Sequence, residues 1–278
     1  MRIDHTDQSS APLFTTTVDT EVKRAALTRL RTRLAHADMP AAATDDEWLI
    51  GVPALDEAIT ALSLSAVHEV VAGDAREDGA AAGFVVALAA RRMRVMEADR
   101  RPLLWVTRRD RLYTAGALSG RGLADFGVDP ASVLLAAGRT DADVLWAMEE
   151  ALRSNAVALA VGEVEGANLV ATRRLSLAAR EQGTPALLFR PARSLGPSAA
   201  RTRWRLAAAP SRPPHFAANA PRRACWRVTL EKGWVDHPRS WIVEWDDEAR
   251  CFHLVTAMAD HTDRSRTEEA VTAFRRAG

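Results

Sequence analysis

From residue 48 to residue 189, short apolar runs alternate with segments of helical period, and no other feature constrains the fold as strongly. Strand, crossover helix and strand in repetition is the pattern of a mainly parallel sheet with helices on its faces. Residues 67–71 read as a strand, 72–79 as a polar loop and 80–98 as a helix. Residues 103–107 and 133–136 read as the next two strands. Thr140 is placed to cap a helix running to Ser154, with Leu145, Met148 and Leu152 as its buried stripe. Residues 157–161 form a strand, 168–182 a helix bearing Arg173 and Arg174, and 186–189 a further strand. Beyond Arg190 the pattern becomes antiparallel: 202–207, 226–231, 241–245 and 251–255, the last two joined as a hairpin turning at 246–248.

The flanks are organised differently. Residues 1–18 have no periodicity and are expected to be disordered. Residues 19–47 hold an amphipathic helix, with Val22, Ala26, Leu30 and Leu34 on one stripe, and then a linker rich in Ala, Asp and Pro. The division is therefore an α/β core over 48–210, a C-terminal β extension over 211–256 and a polar tail over 257–278. A chain of 278 residues can bury one sizeable core. No apolar run approaches the ~20 residues of a membrane-spanning helix, and the first ten residues lack an apolar signal core. Cys225 and Cys251 stand far apart, without metal-ligand spacing, and no metal is expected. A reduced, cytoplasmic protein follows.

Strand, glycine-opened loop and long helix place a phosphate loop at Gly73. That chemistry needs G-x-x-x-x-G-K-[ST]: backbone N–H groups around the phosphates, Lys for their charge and a hydroxyl for Mg²⁺. Here the loop reads Gly73, Asp74, Ala75, Arg76, Glu77, Asp78, Gly79, Ala80, Ala81. Its glycine spacing is one residue too long, and alanines stand where the cation and the hydroxyl are required. Two carboxylates ~4 Å apart repel by roughly 4 kcal/mol at an effective dielectric near 20, which opposes a triphosphate further. No aspartate ends the strand 157–161; Glu163 comes late. No acid directly follows the strand 103–107 to activate water. The loop is vestigial on this reading, and no nucleotide cofactor is expected.

Leu55-Asp56-Glu57-Ala58, the Gly73–Gly79 loop, and Gly127 with Asp129 and Pro130 before a strand resemble the RecA recombinase core in order and spacing. The closer resemblance is to the ImuA family, RecA-like accessory proteins of bacterial SOS mutagenesis. It is carried by Leu104-Trp105-Val106, by Asp143 with Trp146, Glu149, Glu150 and Arg153, and by Ala171 with Arg173, Arg174 and Ala179. Thr202-Arg203-Trp204-Arg205, Pro210-Ser211 and Trp241 through Trp245 complete it. The resemblance implies a non-catalytic adaptor in error-prone translesion synthesis. Its partners would be RecA, an ImuB-type Y-family polymerase homologue and, indirectly, an error-prone C-family DNA polymerase. Alternative readings are an ATP-dependent RecA-like DNA motor and a SulA-like cell-division inhibitor.

The net charge of +1 hides an asymmetry. Between Gln182 and Leu230 nine arginines occur with no Asp or Glu. A basic block on an otherwise acidic chain marks a site for an anionic partner. In the RecA comparison the segment after residue 189 takes the place of a mobile DNA-binding loop. Arg190, Arg193, Arg201, Arg203, Arg205 and Trp204 are therefore candidates for contacting single-stranded DNA or an acidic protein surface, with Trp204 either stacking on bases or packed in the core. Trp226, Trp241 and Trp245 are expected to cover one face of the C-terminal sheet. Glu149 and Arg153 form an i,i+4 pair on a solvated helix face. His68 is expected to be a hydrogen-bonded core residue.

Overall fold

The computed structural model describes residues 47–48, 50–59, 62–63, 65–96, 99–114, 116–191, 196–211, 223–233 and 237–258. The segment expected to form a helix with Val22, Leu30 and Leu34, the residue Arg193 and the tail from residue 259 lie outside the described residues.

Within them the chain runs β1 (Glu47–Trp48), α1 (Pro53–Ile59), β2 (Leu62–Ser63), β3 (Val67–Ala72), α2 (Asp78–Val95), β4 (Leu103–Arg108) and α3 (Arg109–Thr114). There follow α4 (Gly120–Asp125), β5 (Val133–Gly138), α5 (Asp141–Ser154), β6 (Leu159–Glu163), α6 (Leu169–Gln182), β7 (Ala186–Arg190) and β8 (Thr202–Ala208). The extension contributes β9 (Cys225–Lys232), β10 (Arg239–Asp246) and β11 (Cys251–Met258). Nine strands form one sheet in the order β11-β10-β9-β8-β3-β7-β6-β4-β5. β1 and β2 pair separately, and the Asp56 carboxylate fixes the entry of α1 by accepting from the Ile50 and Gly51 amides at 2.8 Å.

One expectation about direction is corrected. β8 runs parallel to β3, with His68 opposite Thr202 and Ala72 opposite Leu206. The antiparallel part begins only at β9. Alternating burial of Thr202, Trp204 and Leu206 reports which face is covered, but a period of two is blind to strand direction. The hairpin β10–β11 forms as expected, with Asp246 paired to Cys251.

β6 is also displaced from its expected span, ending at Glu163 rather than at Val161. Gly162 reads as a loop residue in the sequence, yet it lies within the strand because α5 crosses close above it. A Cβ there would come within 2.0 Å of Met148 Sδ. The shift brings Glu163 to the strand's end.

The apolar middle of α2, residues 84–90, is buried all round, as an apolar helical segment must be. It lies against β3, β7 and β8, and its Phe84 meets an aromatic cluster of Phe126, Trp226, Trp245 and Phe252. The Trp226 indole donates to the Ala80 carbonyl at 2.7 Å, tying β9 to the first turn of α2. Trp226, Trp241 and Trp245 do share the covered face of the extension, at 2, 4 and 0 % exposure.

α5 starts with a reciprocal cap: the Thr140 hydroxyl accepts from the Asp143 amide and the Asp143 carboxylate accepts from the Thr140 amide. Its buried stripe is Val144, Met148, Ala151 and Leu152; Leu145 is only half-buried. No helix among the described residues is long and apolar enough to cross a membrane.

Candidate functional site

Ligands of open α/β sheets bind beyond the carboxyl ends of the parallel strands, and the loop from β3 to α2 opens there. Three of its amides are committed within the chain. Gly73 N donates to the Leu206 carbonyl at 2.6 Å, and Glu77 N to the Asp74 carbonyl at 3.1 Å. Arg76 N donates to the Asp74 carboxylate at 2.7 Å. The Glu77 carboxylate reaches across to the Ala208 amide at 2.7 Å. Asp74 and Glu77 thus act as the loop's own anions, taking backbone donors in the way a phosphate would.

A cavity of about 350 Å³ adjoins the loop. Asp78, Gly79 and Ala82 border it; Ala80 and Ala81 do not. Ala81 is fully buried and the Ala80 carbonyl receives Trp226. The alanines singled out from the sequence therefore do not line this cavity.

The polar end of the cavity is built by four elements, with Glu163 from β6 and Asp78 from α2. β4 supplies Thr107, whose hydroxyl donates to Glu163 Oε2 at 2.6 Å. α3 supplies Arg111, 9 % exposed, whose guanidinium lies 2.7 Å from Glu163 Oε1 and 3.4 Å from Asp78 Oδ2. Burial works against the Arg111 charge, but Glu163 and then Asp78 outweigh it and raise its pKa above the ordinary arginine value. Trp105, Leu118, Leu135 and Phe189 form the apolar walls. The arrangement is an ion cluster with carboxylates in excess: one fixed cation clasped by two acids.

A second cluster lies beside it. Arg108, at the end of β4, meets Asp110, Asp141 at 3.6 Å and Glu165 at 3.4 Å. The hydrogen bonds that it donates to the Asp110 carboxylate are the main reason its pKa is raised. Asp141 also accepts from the Glu165 and Gly166 amides, which fixes the short connection after β6.

Four of the nine arginines of the block, Arg190, Arg203, Arg205 and Arg223, pair with carboxylates distant in sequence. Glu69, fully buried on β3, meets Arg190 at 3.4 Å and Arg203 at 2.7 Å. Arg205 pairs with Glu231 on β9, and Arg223 with Glu244 and Asp246 on β10. Trp204 is 1 % exposed and its indole donates to the Thr202 hydroxyl at 2.7 Å, so it offers no face to a base. The same hydroxyl lies 2.8 Å from His68 Nδ1, which makes His68 the core histidine expected. Arg201 is exposed at the edge of the block.

Glu149 differs from its expected solvated setting. It is 6 % exposed and shared by Arg153 at 3.0 Å and Arg174 at 2.6 Å. Nothing in local spacing marks Thr107, Arg111 or Glu69, since their partners lie 33 to 134 positions away.

No protein-family model matches the chain. It is 34 % identical over 232 residues to the protein named ImuA in Caulobacter vibrioides strain NA1000 / CB15N. The ImuA of a second strain of that organism, ATCC 19089, matches to the same extent. The alignment covers 76 % of this chain and 89 % of the relative. With most of both chains aligned at this identity, the chain belongs to the ImuA family.

Proposed function

We propose that this chain is a non-catalytic, RecA-like accessory protein of SOS-induced error-prone translesion synthesis. The strand order, with β3 central and the loop 73–79 leading into α2, supports a RecA-like reading of the core. The observation that carries the non-catalytic part is the Arg111 clasp. The guanidinium is already paired with Glu163 at 2.7 Å and with Asp78 Oδ2 at 3.4 Å, and the loop's amides at Gly73, Arg76 and Glu77 are bonded within the chain. Seating a Mg-triphosphate would require breaking these contacts while adding negative charge beside Asp74, Glu77 and Asp78.

In this reading the protein works by contact. The amphipathic segment with Val22, Leu30 and Leu34 grips RecA and limits its filaments, and the remainder holds an ImuB-type polymerase homologue. The exposed Arg201 and the segment containing Arg193 are the positions for any contact with single-stranded DNA. Titrating Mg-ATP into the full chain by calorimetry is expected to give no saturable heat, and micromolar binding would overturn the reading. Deleting residues 1–37 is expected to abolish co-purification with RecA while preserving the circular dichroism of the core; retained binding would remove that helix from the proposal.

A further inference from the structure

We propose that the outward face of α6 is a docking surface for an acidic amphipathic helix of a partner protein. This inference is independent of the nucleotide site.

α6 is anchored on its inner side and well defined at both ends. Asn168 caps it by accepting from the Ala171 amide at 2.8 Å, and Gly183 ends it in the left-handed conformation. Thr172, Leu175, Ala178 and Ala179 are buried against the core. On the opposite side Leu169, Val170 and Leu177 are exposed by 48, 69 and 51 %. At 100° per residue they share an arc of about 140° with Arg173, Arg174 and Arg180. All three arginines are exposed.

A helix needs one apolar stripe to pack on its own sheet; this one carries a second. Val170 and Leu177 are seven residues apart, two turns along one line, with Arg173 and Arg174 between them. Apolar positions at that spacing flanked by charge are how one helix presents itself to another. The charge selects the partner's sign. Arg153 joins the three arginines of α6 through the shared Glu149, and the carboxylates on this surface are Glu149, 6 % exposed, and Glu181. The surplus is cationic, so the complementary helix has a stripe of leucine-like residues edged with Asp and Glu. Phosphates would answer the arginines but would leave Leu169, Val170 and Leu177 in water. A protein partner satisfies both.

The test uses the full chain and a fluorescein-labelled synthetic helix with Leu at one face and Glu along its edges. Saturable binding is expected, weakening as salt rises. Leu177→Asp and Arg173→Glu should each lower the affinity about tenfold or more. Both positions are exposed, so folding should survive, with circular dichroism as the check. A peptide with Lys in place of Glu should not bind. Three results would overturn the proposal. These are equal binding of the acidic peptide to wild type and Leu177→Asp, preference of this face for a single-stranded oligonucleotide over the peptide, or a wild-type dimer that Leu177→Asp dissociates.

Discussion

Replacing Glu69 by alanine removes the carboxylate that Arg190 and Arg203 share. Glu69 is fully buried, Arg190 is 2 % exposed, and the Arg203 side chain is 15 % exposed. Water cannot take over the role of the missing anion for Arg190, and two guanidinium groups are left facing each other. Breaking a buried ion pair from one side costs ~3–5 kcal/mol. For a domain of this size ~1 kcal/mol corresponds to about 2–4 °C in Tm, so a loss of about 6–20 °C is expected. Urea unfolding followed by Trp fluorescence measures the same quantity, since Trp204 lies on the strand next to Glu69. Glu69→Ala combined with Arg190→Met and Arg203→Met should recover most of the loss, because burying no charge is far cheaper than burying an unpaired one. A single-variant loss below about 1 kcal/mol would refute the reasoning, and these arginines would then stand as surface cations available to an anionic partner.

Gly162→Ala places a Cβ against Met148 Sδ and should destabilise by ~1–3 kcal/mol, and pairing it with Met148→Ala should remove the clash term; additive losses in denaturant would contradict the close approach of α5 to β6. The Asp246 carboxylate accepts from the Ala249 and Glu248 amides and faces Arg223, which together hold its pKa below the ordinary aspartate value. A depressed carboxylate stabilises above its unfolded pKa and loses that contribution as pH falls through the folded one. The denaturation midpoints of wild type and Asp246→Asn should therefore differ near neutrality and converge below the ordinary aspartate range; a constant gap across that range would contradict the assignment.

The sequence alone determined the strand–helix alternation, the caps and the covered faces, because each depends on neighbours within one turn or one strand. Thr140 and Asn168 announce helix starts by bonding amides three residues on, and Trp226, Trp241 and Trp245 announce a covered face by their period. The absence of Lys and a hydroxyl after Gly79 was equally legible. Tertiary structure decided what depends on partners far along the chain. It set β8 parallel to β3, extended β6 to Glu163 through a glycine chosen for contact with Met148, and left Ala80 and Ala81 out of the cavity lining. It also drew Arg190, Arg203 and Arg205 of the arginine block into ion pairs, since Glu69 and Glu231 approach them only across strands. Electrostatics acts through space, so a segment without acids says nothing about its neutralisation until its neighbouring strands are in place.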